Sequence, residues 1–332
     1  MIYTDPTAAA PAIAAELERA GRILLLSHIN PDGDAIGSML GLRHALRDLG
    51  KTPIALASSD IPSYAETLPG IEHVQVYTPG TALPEADLIW MVDTASLERV
   101  GPVHTEHAEH LRAQPLVIVD HHVTNDGAGR VNLIMSQAAS TAEVLYLLLR
   151  ALEAPISPEA ATCLLLGLTT DTQSFQTNST NPQSLHVAAE LLKAGAQHRA
   201  VVDAVYYATP YSTVQLIGQA LSRIERDGAL IWTYVSQEML RQTGAEDEAS
   251  DDVVQVMQRV AGVRACILFK ERAGGDIKIS LRSSPGIDVA AIAKTWGGGG
   301  HTQAAGATLA MDLDAARREV IPAVQSALAE KP

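Results

Sequence analysis

Three short apolar runs each end abruptly on an acid or an imidazole. Residues 22–26 lead into Ser27-His28, Leu88–Val92 into Asp93, and residues 116–119 into Asp120-His121-His122. Runs this short, rich in aliphatic and β-branched residues, read as strands, and their lack of polar alternation means both faces are covered. Residues 54–57 and 74–77 predict two more strands. Helical stretches lie between them: 6–20, with Ile13 and Leu17 four apart and Gly21 as a stop, 35–49, closed by Gly50, and a polar helix over 104–113. Strands alternating with helices predict an α/β domain, a parallel sheet with helices on both faces. The strand ends of such a sheet share one edge, where ligands of open α/β sheets bind.

The pattern changes further along. Ser140 and Glu143, at capping-box spacing, open an apolar helix to 152, and a second from 158 runs into Thr169-Thr170-Asp171. Pro182 opens a helix to 194. Beyond 226, strands at 229–235, 264–270 and 276–281, a Gly274-Gly275 turn, and helices at 288–295 and 313–329 predict a smaller α+β domain. The expected division is 1–205, a linker helix over 206–226, and 227–332. A chain of 332 residues can supply both cores.

No apolar run approaches a membrane span, and the N-terminus lacks a basic region followed by a long apolar one. Cys163 and Cys266 sit in apolar surroundings and read as core thiols, which fits the cytoplasm. A net charge of −14 argues against coating long duplex nucleic acid. Locally the sign reverses. Residues 262–300 hold six Lys or Arg against three acids.

The strand ends carry the chemistry. At the first, His28, Asp32 and Asp34 are spaced around Pro31, which stops the strand, and Gly33, which lets the backbone turn so that both carboxylates can face one point. The same residues suit an ordinary turn in which Asp34 caps the next helix. Asp93 and Asp120 end their own strands on the same edge, and Asp171 follows a helical run. His121 and His122, adjacent on extended backbone, point to opposite sides. Five acids and two or three imidazoles converging there would repel without cations. The mixed donors suit Mn²⁺, with Mg²⁺, Zn²⁺ or Fe²⁺ behind it. They are too many for one ion and about enough for two, the apparatus of displacement at phosphorus.

This order of motifs, His-x-x-x-Asp-x-Asp, an isolated Asp, Asp-His-His-x-x-Asn and Thr-Asp-Thr, resembles the DHH phosphoesterase superfamily. The stretch from Gly297 through Gly300-His301 to Ala304-Ala305-Gly306 is similar to the DHHA1 signature, and Ser280-Leu281-Arg282-Ser283 to the strand motif before it. The compact length resembles the nanoRNase and 3′-phosphoadenosine-5′-phosphate (pAp) phosphatase branch. The resemblance implies a DHH domain at 1–205 and a DHHA1 substrate-binding domain at 227–332. It implies one metal on His28, Asp32 and Asp93, and another on Asp34, Asp93, His121 and Asp171, with Asp93 bridging. It further implies that Asp120 orients a ligand imidazole and that His122 faces the scissile phosphate. One departure stands out: Gln173 follows Thr-Asp-Thr, where the family usually has Gly.

The implied enzyme is a two-metal phosphohydrolase that degrades short RNA oligonucleotides, including pApA, and dephosphorylates pAp to AMP. Its cofactors would be two divalent ions, Mn²⁺ ahead of Mg²⁺. Its partners would be short single-stranded RNA or DNA and pAp, with no long duplex and no membrane; a homodimer stays open. Arg282, Ser283, Gly299, Gly300 and His301 are the expected substrate contacts: glycines expose N–H groups to a phosphate, and Arg282 offers a bidentate fork. The alternatives are a cyclic-dinucleotide phosphodiesterase, a short-chain polyphosphatase and a catalytically silent nucleotide sensor. His104, His107 and His110, three apart among polar residues, read as a solvated helix face.

Overall fold

The computed structural model describes residues 1–329, apart from the His301 side chain. The chain divides into two compact units, Met1–Ala208 and Thr209 onward.

The first unit is built on seven parallel strands: β1 (Ile2–Tyr3), β2 (Arg22–Leu26), β3 (Thr52–Ala57), β4 (Val74–Val76), β5 (Leu88–Val92), β6 (Leu116–Asp120) and β7 (Val131–Ile134). Their order is β1-β7-β6-β5-β2-β3-β4. From β2 the chain steps outward through β3 and β4, then returns to β5 on the other side of β2. The β2–β5 seam is therefore the topological switch point, where strand-end loops diverge and leave a crevice.

The helices of this unit are α1 (Pro6–Arg19), α2 (Gly33–Asp48), α3 (Pro102–Ala113), α4 (Thr141–Ala151), α5 (Pro158–Asp171), α6 (Pro182–Lys193) and α7 (His198–Tyr206). Alternate strand residues bury on opposite faces. Ile23, Leu25, Trp90 and Val117 join Met39, Leu145 and Leu165 of α2, α4 and α5 in one core. Leu24, Leu26, Ile89 and Met91 join Val103 and Leu111 of α3 in the other. Helices α2 and α5 approach closely because both carry glycine where they cross. A Cβ on Gly37 would lie 2.5 Å from the Cys163 carbonyl oxygen, and one on Gly167 would lie 2.7 Å from an Asp34 carboxylate oxygen. The tight crossing brings Asp171, the last residue of α5, beside the N-terminus of α2.

The second unit comprises α8 (Tyr211–Leu221), β8 (Glu225–Asp227), β9 (Leu230–Val235), α9 (Gln237–Thr243), α10 (Ser250–Gln258), β10 (Ala265–Glu271), β11 (Ile277–Ser283), α11 (Val289–Lys294), β12 (Gly299–His301), β13 (Ala304–Leu309) and α12 (Leu313–Ala329). The sheet order is β12-β13-β11-β10-β9-β8, with β9 and β10 parallel and the other pairs antiparallel. Ile277, Ile279 and Leu281 of β11 pack with Val289, Val320 and Val324 of α11 and α12. On the opposite face, α8, α9 and α10 cover β9 and β10. Helix α8 falls in the segment expected as a linker, and its Leu216 and Ala220 belong to this core.

The glycine run leads from a turn at Gly297 into strand β12, with Gly297, Gly299 and Gly300 exposed. Gly299 pairs with Gly306 and Gly300 with Ala305. A Cβ on Gly298 would lie 2.1 Å from the Gly306 oxygen, so close strand packing demands glycine there.

Candidate active site

At the mouth of β2, Asp32 caps α2: its Oδ1 accepts from the Asp34 and Ala35 amides at 3.0 and 3.1 Å. The cap is thus Asp32 and not Asp34, which leaves Asp34 free to turn inward. Asp34 is buried, and its carboxylate accepts from the Thr141 and Ala142 amides at 2.6 and 3.0 Å and from Ser38 Oγ at 3.3 Å. Those two amides open α4, so a negative side chain meets a helix N-terminus. Thr141 then donates through Oγ1 to Asp93 Oδ1 at 3.0 Å, and one helix start serves two carboxylates. In the sequence this segment reads only as the Ser140–Glu143 capping signal. Nothing local distinguishes a hydroxyl that also reaches a carboxylate on another strand.

Asp93 sits at the centre. It is buried and its backbone is left-handed, φ 53°. A non-glycine residue in that region is held there by its surroundings, a strain that recurs at functional sites. His28 Nε2 lies 3.5 Å from Asp93 Oδ2 and 3.9 Å from Asp32 Oδ1. His121 Nε2 lies 3.6 Å from Asp93 Oδ1 and 3.5 Å from Asp171 Oδ2. Three overlapping donor groups result: His28, Asp32 and Asp93; Asp34, His121 and Asp171; and Asp93, His121 and His122.

Asp120 corrects one expectation. It does not orient the His121 ring, whose Nδ1 faces the Ala138 oxygen at 3.4 Å. It accepts from His122 Nδ1 at 2.8 Å, from the His121 amide at 2.8 Å and from Asn125 Nδ2 at 2.6 Å. The reason is the strand period: residues two apart share a side, so Asp120 faces the His122 ring and not that of His121. Asn125 also donates to the Thr94 oxygen at 3.0 Å and ties this loop to the one after β5.

The electrostatics are those of crowded, buried carboxylates. Burial drives the Asp34 carboxyl well above the usual range, and the charges on Asp93, Asp171 and Asp32 add to it. Burial likewise lifts Asp171 to about 6, with Asp93 and Asp32 adding to the rise and His121 opposing it. Burial disfavours a charged His28, yet the neighbouring carboxylates of Asp32 and Asp93 outweigh that and raise it to about 10. These upward shifts mark a surplus of buried negative charge, which divalent cations would relieve. The donor chemistry and the charge both fit such ions. The Asp120 hydrogen bond raises His122 against its burial, and the same bond holds Asp120 low against its own.

Of the residues read from sequence, His28, Asp32, Asp34, Asp93, His121, His122 and Asp171 come together at the switch point, with Asp120 directly behind. Arg282, Ser283, Gly299 and Gly300 belong to the second unit. Arg282 lines a cavity of about 60 Å³ with Arg264, Cys266 and Ser284. Lys278 lines a separate one of about 430 Å³ with Trp296, Gly297 and Thr308. The His301 side chain lies outside the described residues. His107 bonds Tyr77 Oη at 2.9 Å, so the His104–His110 repeat is anchored structurally at its middle member.

Residues 22–168 match the model of the DHH family, N-terminal domain, and residues 228–330 that of the DHHA1 domain. A Thermus thermophilus protein named bifunctional oligoribonuclease and PAP phosphatase NrnA is 36% identical over 321 residues, covering 95% of this chain and 94% of its own. A Bacillus subtilis protein of the same name is 26% identical over 293 residues, covering 86% and 89%. Among solved structures, an exopolyphosphatase-related protein from Bacteroides fragilis aligns with a TM-score of 0.86 at 26% identity over 97% of this chain and 96% of its own.

Proposed function

Since the chain belongs to the DHH family of phosphoesterases and carries its DHHA1 domain, we propose that this hydrolase degrades short RNA oligonucleotides and removes the 3′-phosphate of pAp. The observation that carries the reading is the carboxylate–imidazole cluster at the β2–β5 switch point, in a chain 36% identical across its length to a relative named for both activities.

His28, Asp32 and Asp93 would hold one divalent cation, and Asp34, Asp93, His121 and Asp171 the other. Their mixed donors favour Mn²⁺ over Mg²⁺. Bound there, such ions supply Lewis-acid neutralisation of phosphoryl charge and lower the pKa of water. The chain's own residues do the rest. Asp120 keeps the His122 ring in one orientation and, by accepting from Nδ1, favours the doubly protonated ring, in which Nε2–H can donate to a phosphoryl oxygen or to the leaving group. Asn125 and the His121 amide hold Asp120 in turn. In the second unit, Arg282, Ser283 and the glycine strand, with His301, would bind the nucleotide. The two cysteines are free and buried, as in a reducing cytoplasm; no described helix is long and apolar enough to cross a membrane.

The test is side-by-side turnover of pAp, pApA, a five-nucleotide RNA and a long single strand, with Mn²⁺, with Mg²⁺ and in excess chelator. The expected order is short substrates over the long strand, Mn²⁺ over Mg²⁺, and no turnover with chelator. Full activity in chelator would overturn the reading.

A further inference from the structure

The acids of the site are not held alike. Asp34 accepts three hydrogen bonds, Asp120 three, Asp32 two and Asp93 one. Among the described residues, Asp171 accepts none and has only His121 Nε2 at 3.5 Å. Its position rests on its backbone alone. That backbone leaves α5 through Thr172 into three consecutive non-glycine residues in the left-handed region: Gln173 at φ 47°, Ser174 at 58° and Phe175 at 66°. Such residues adopt this conformation singly, not in runs, so the turn needs support from outside itself.

Part of the support is local. Thr172 Oγ1 accepts from the Phe175 amide at 3.0 Å, and the Thr169 oxygen accepts from the Ser174 amide at 2.8 Å. Phe175 packs against the core. One side-chain contact arrives from a separate helix: Tyr206 Oη, at the end of α7, hydrogen-bonds Ser174 Oγ. Tyr206 remains 42% exposed, so burial does not account for its placement.

We propose that the Tyr206–Ser174 contact is a strap that holds the left-handed turn and thereby positions the Asp171 carboxylate. Ser174 and Tyr206 are then positioning residues for the cation held by Asp34, His121 and Asp171. The proposal rests on the two-cation reading above.

The experiment titrates Mn²⁺ into the full chain and follows free ion by electron paramagnetic resonance. It compares the wild type with Tyr206→Phe, Ser174→Ala, the double variant, and Asp171→Asn as the reference for losing that ion. Removing one net hydrogen bond should weaken one of the two ions by roughly 2–10-fold and spare the other. The double variant should be no worse than either single one, as for two ends of a single contact. Excess Mn²⁺ should restore turnover in Tyr206→Phe but not in Asp171→Asn. Circular dichroism checks the fold of each variant, and the Ser174→Ala arm keeps the test open if Tyr206→Phe misfolds. Unchanged affinity for both ions in folded variants, or equal weakening of both, would overturn the strap. A wild type that binds fewer than two ions would overturn the two-cation reading and the strap with it.

Discussion

The two units carry opposite electrostatic problems. In the first, buried carboxylates crowd the β2–β5 seam with too few positive partners, and burial and mutual repulsion push Asp34 and Asp171 upward while the carboxylates around it raise His28. In the second, Lys278, Ser280 and Arg282 alternate along β11 on the face opposite Ile277, Ile279 and Leu281, with Thr308, Gly306 and Ala304 of β13 beside them. Among the described residues neither cation there, nor nearby Arg264, makes an ion pair. One unit calls for cations and the other for anions.

The first unit should be the more fragile. Asp93→Asn removes the carboxylate that both proposed cation sites would share, so turnover should fall at least about 10³-fold, and further than for Asp34→Asn. Steady-state rates and metal content check it. Near-normal turnover would end the metal assignment.

Arg282→Ala tests the other side of the contrast. Losing one charge-assisted phosphate contact should lower kcat/KM by roughly 10–150-fold on a three-nucleotide RNA and on pAp. An activated aryl phosphodiester, which has no second phosphate, should lose little, and bound metal should be unchanged. Equal losses on all three substrates would place Arg282 in the chemistry and erase the division between units.

Thr141→Val probes a link within the first unit. The hydroxyl donates to Asp93 while the Thr141 amide holds Asp34, and only the former is lost. Outer partners of metal ligands are worth about 10–100-fold in metal affinity, so Mn²⁺ should bind more weakly by a factor in the lower part of that range. Unchanged binding would mean that Asp93 is fixed by its left-handed backbone alone.

What was legible in the sequence follows a physical rule. Strands β2, β5 and β6 are continuous apolar runs, and their terminal acids could be placed on one edge from the parallel topology they imply. The edge strands β1 and β8 were not legible, since two or three residues carry no period. Strand β12 was hidden by composition: glycine there serves close packing on β13, which no local pattern announces. The ligands were readable because each follows its own strand or helix. Thr141 was not, because its role depends on α4 being aimed at two other elements. Gln173 was visible as an oddity but unexplained until its backbone was seen.

That residue gives the smallest effect. Gln173 is exposed, no hydrogen bond of its side chain is described, and its φ of 47° suits glycine. The left-handed penalty for a non-glycine residue is about 1–2 kcal/mol. Glycine relieves it but widens the unfolded ensemble by about 0.4–1 kcal/mol. The terms leave a gain near 1 kcal/mol for Gln173→Gly, or roughly 2–4 °C in Tm for a unit of this size. Calorimetry measures the shift, and a parallel Mn²⁺ titration gives it meaning. A higher Tm with unchanged ion affinity is the expected result and marks the strain as incidental, with the turn held from Ser174 onward. A higher Tm with weaker binding would show that Gln173 itself restricts the backbone behind Asp171, so that stability has been given up for placement of a ligand.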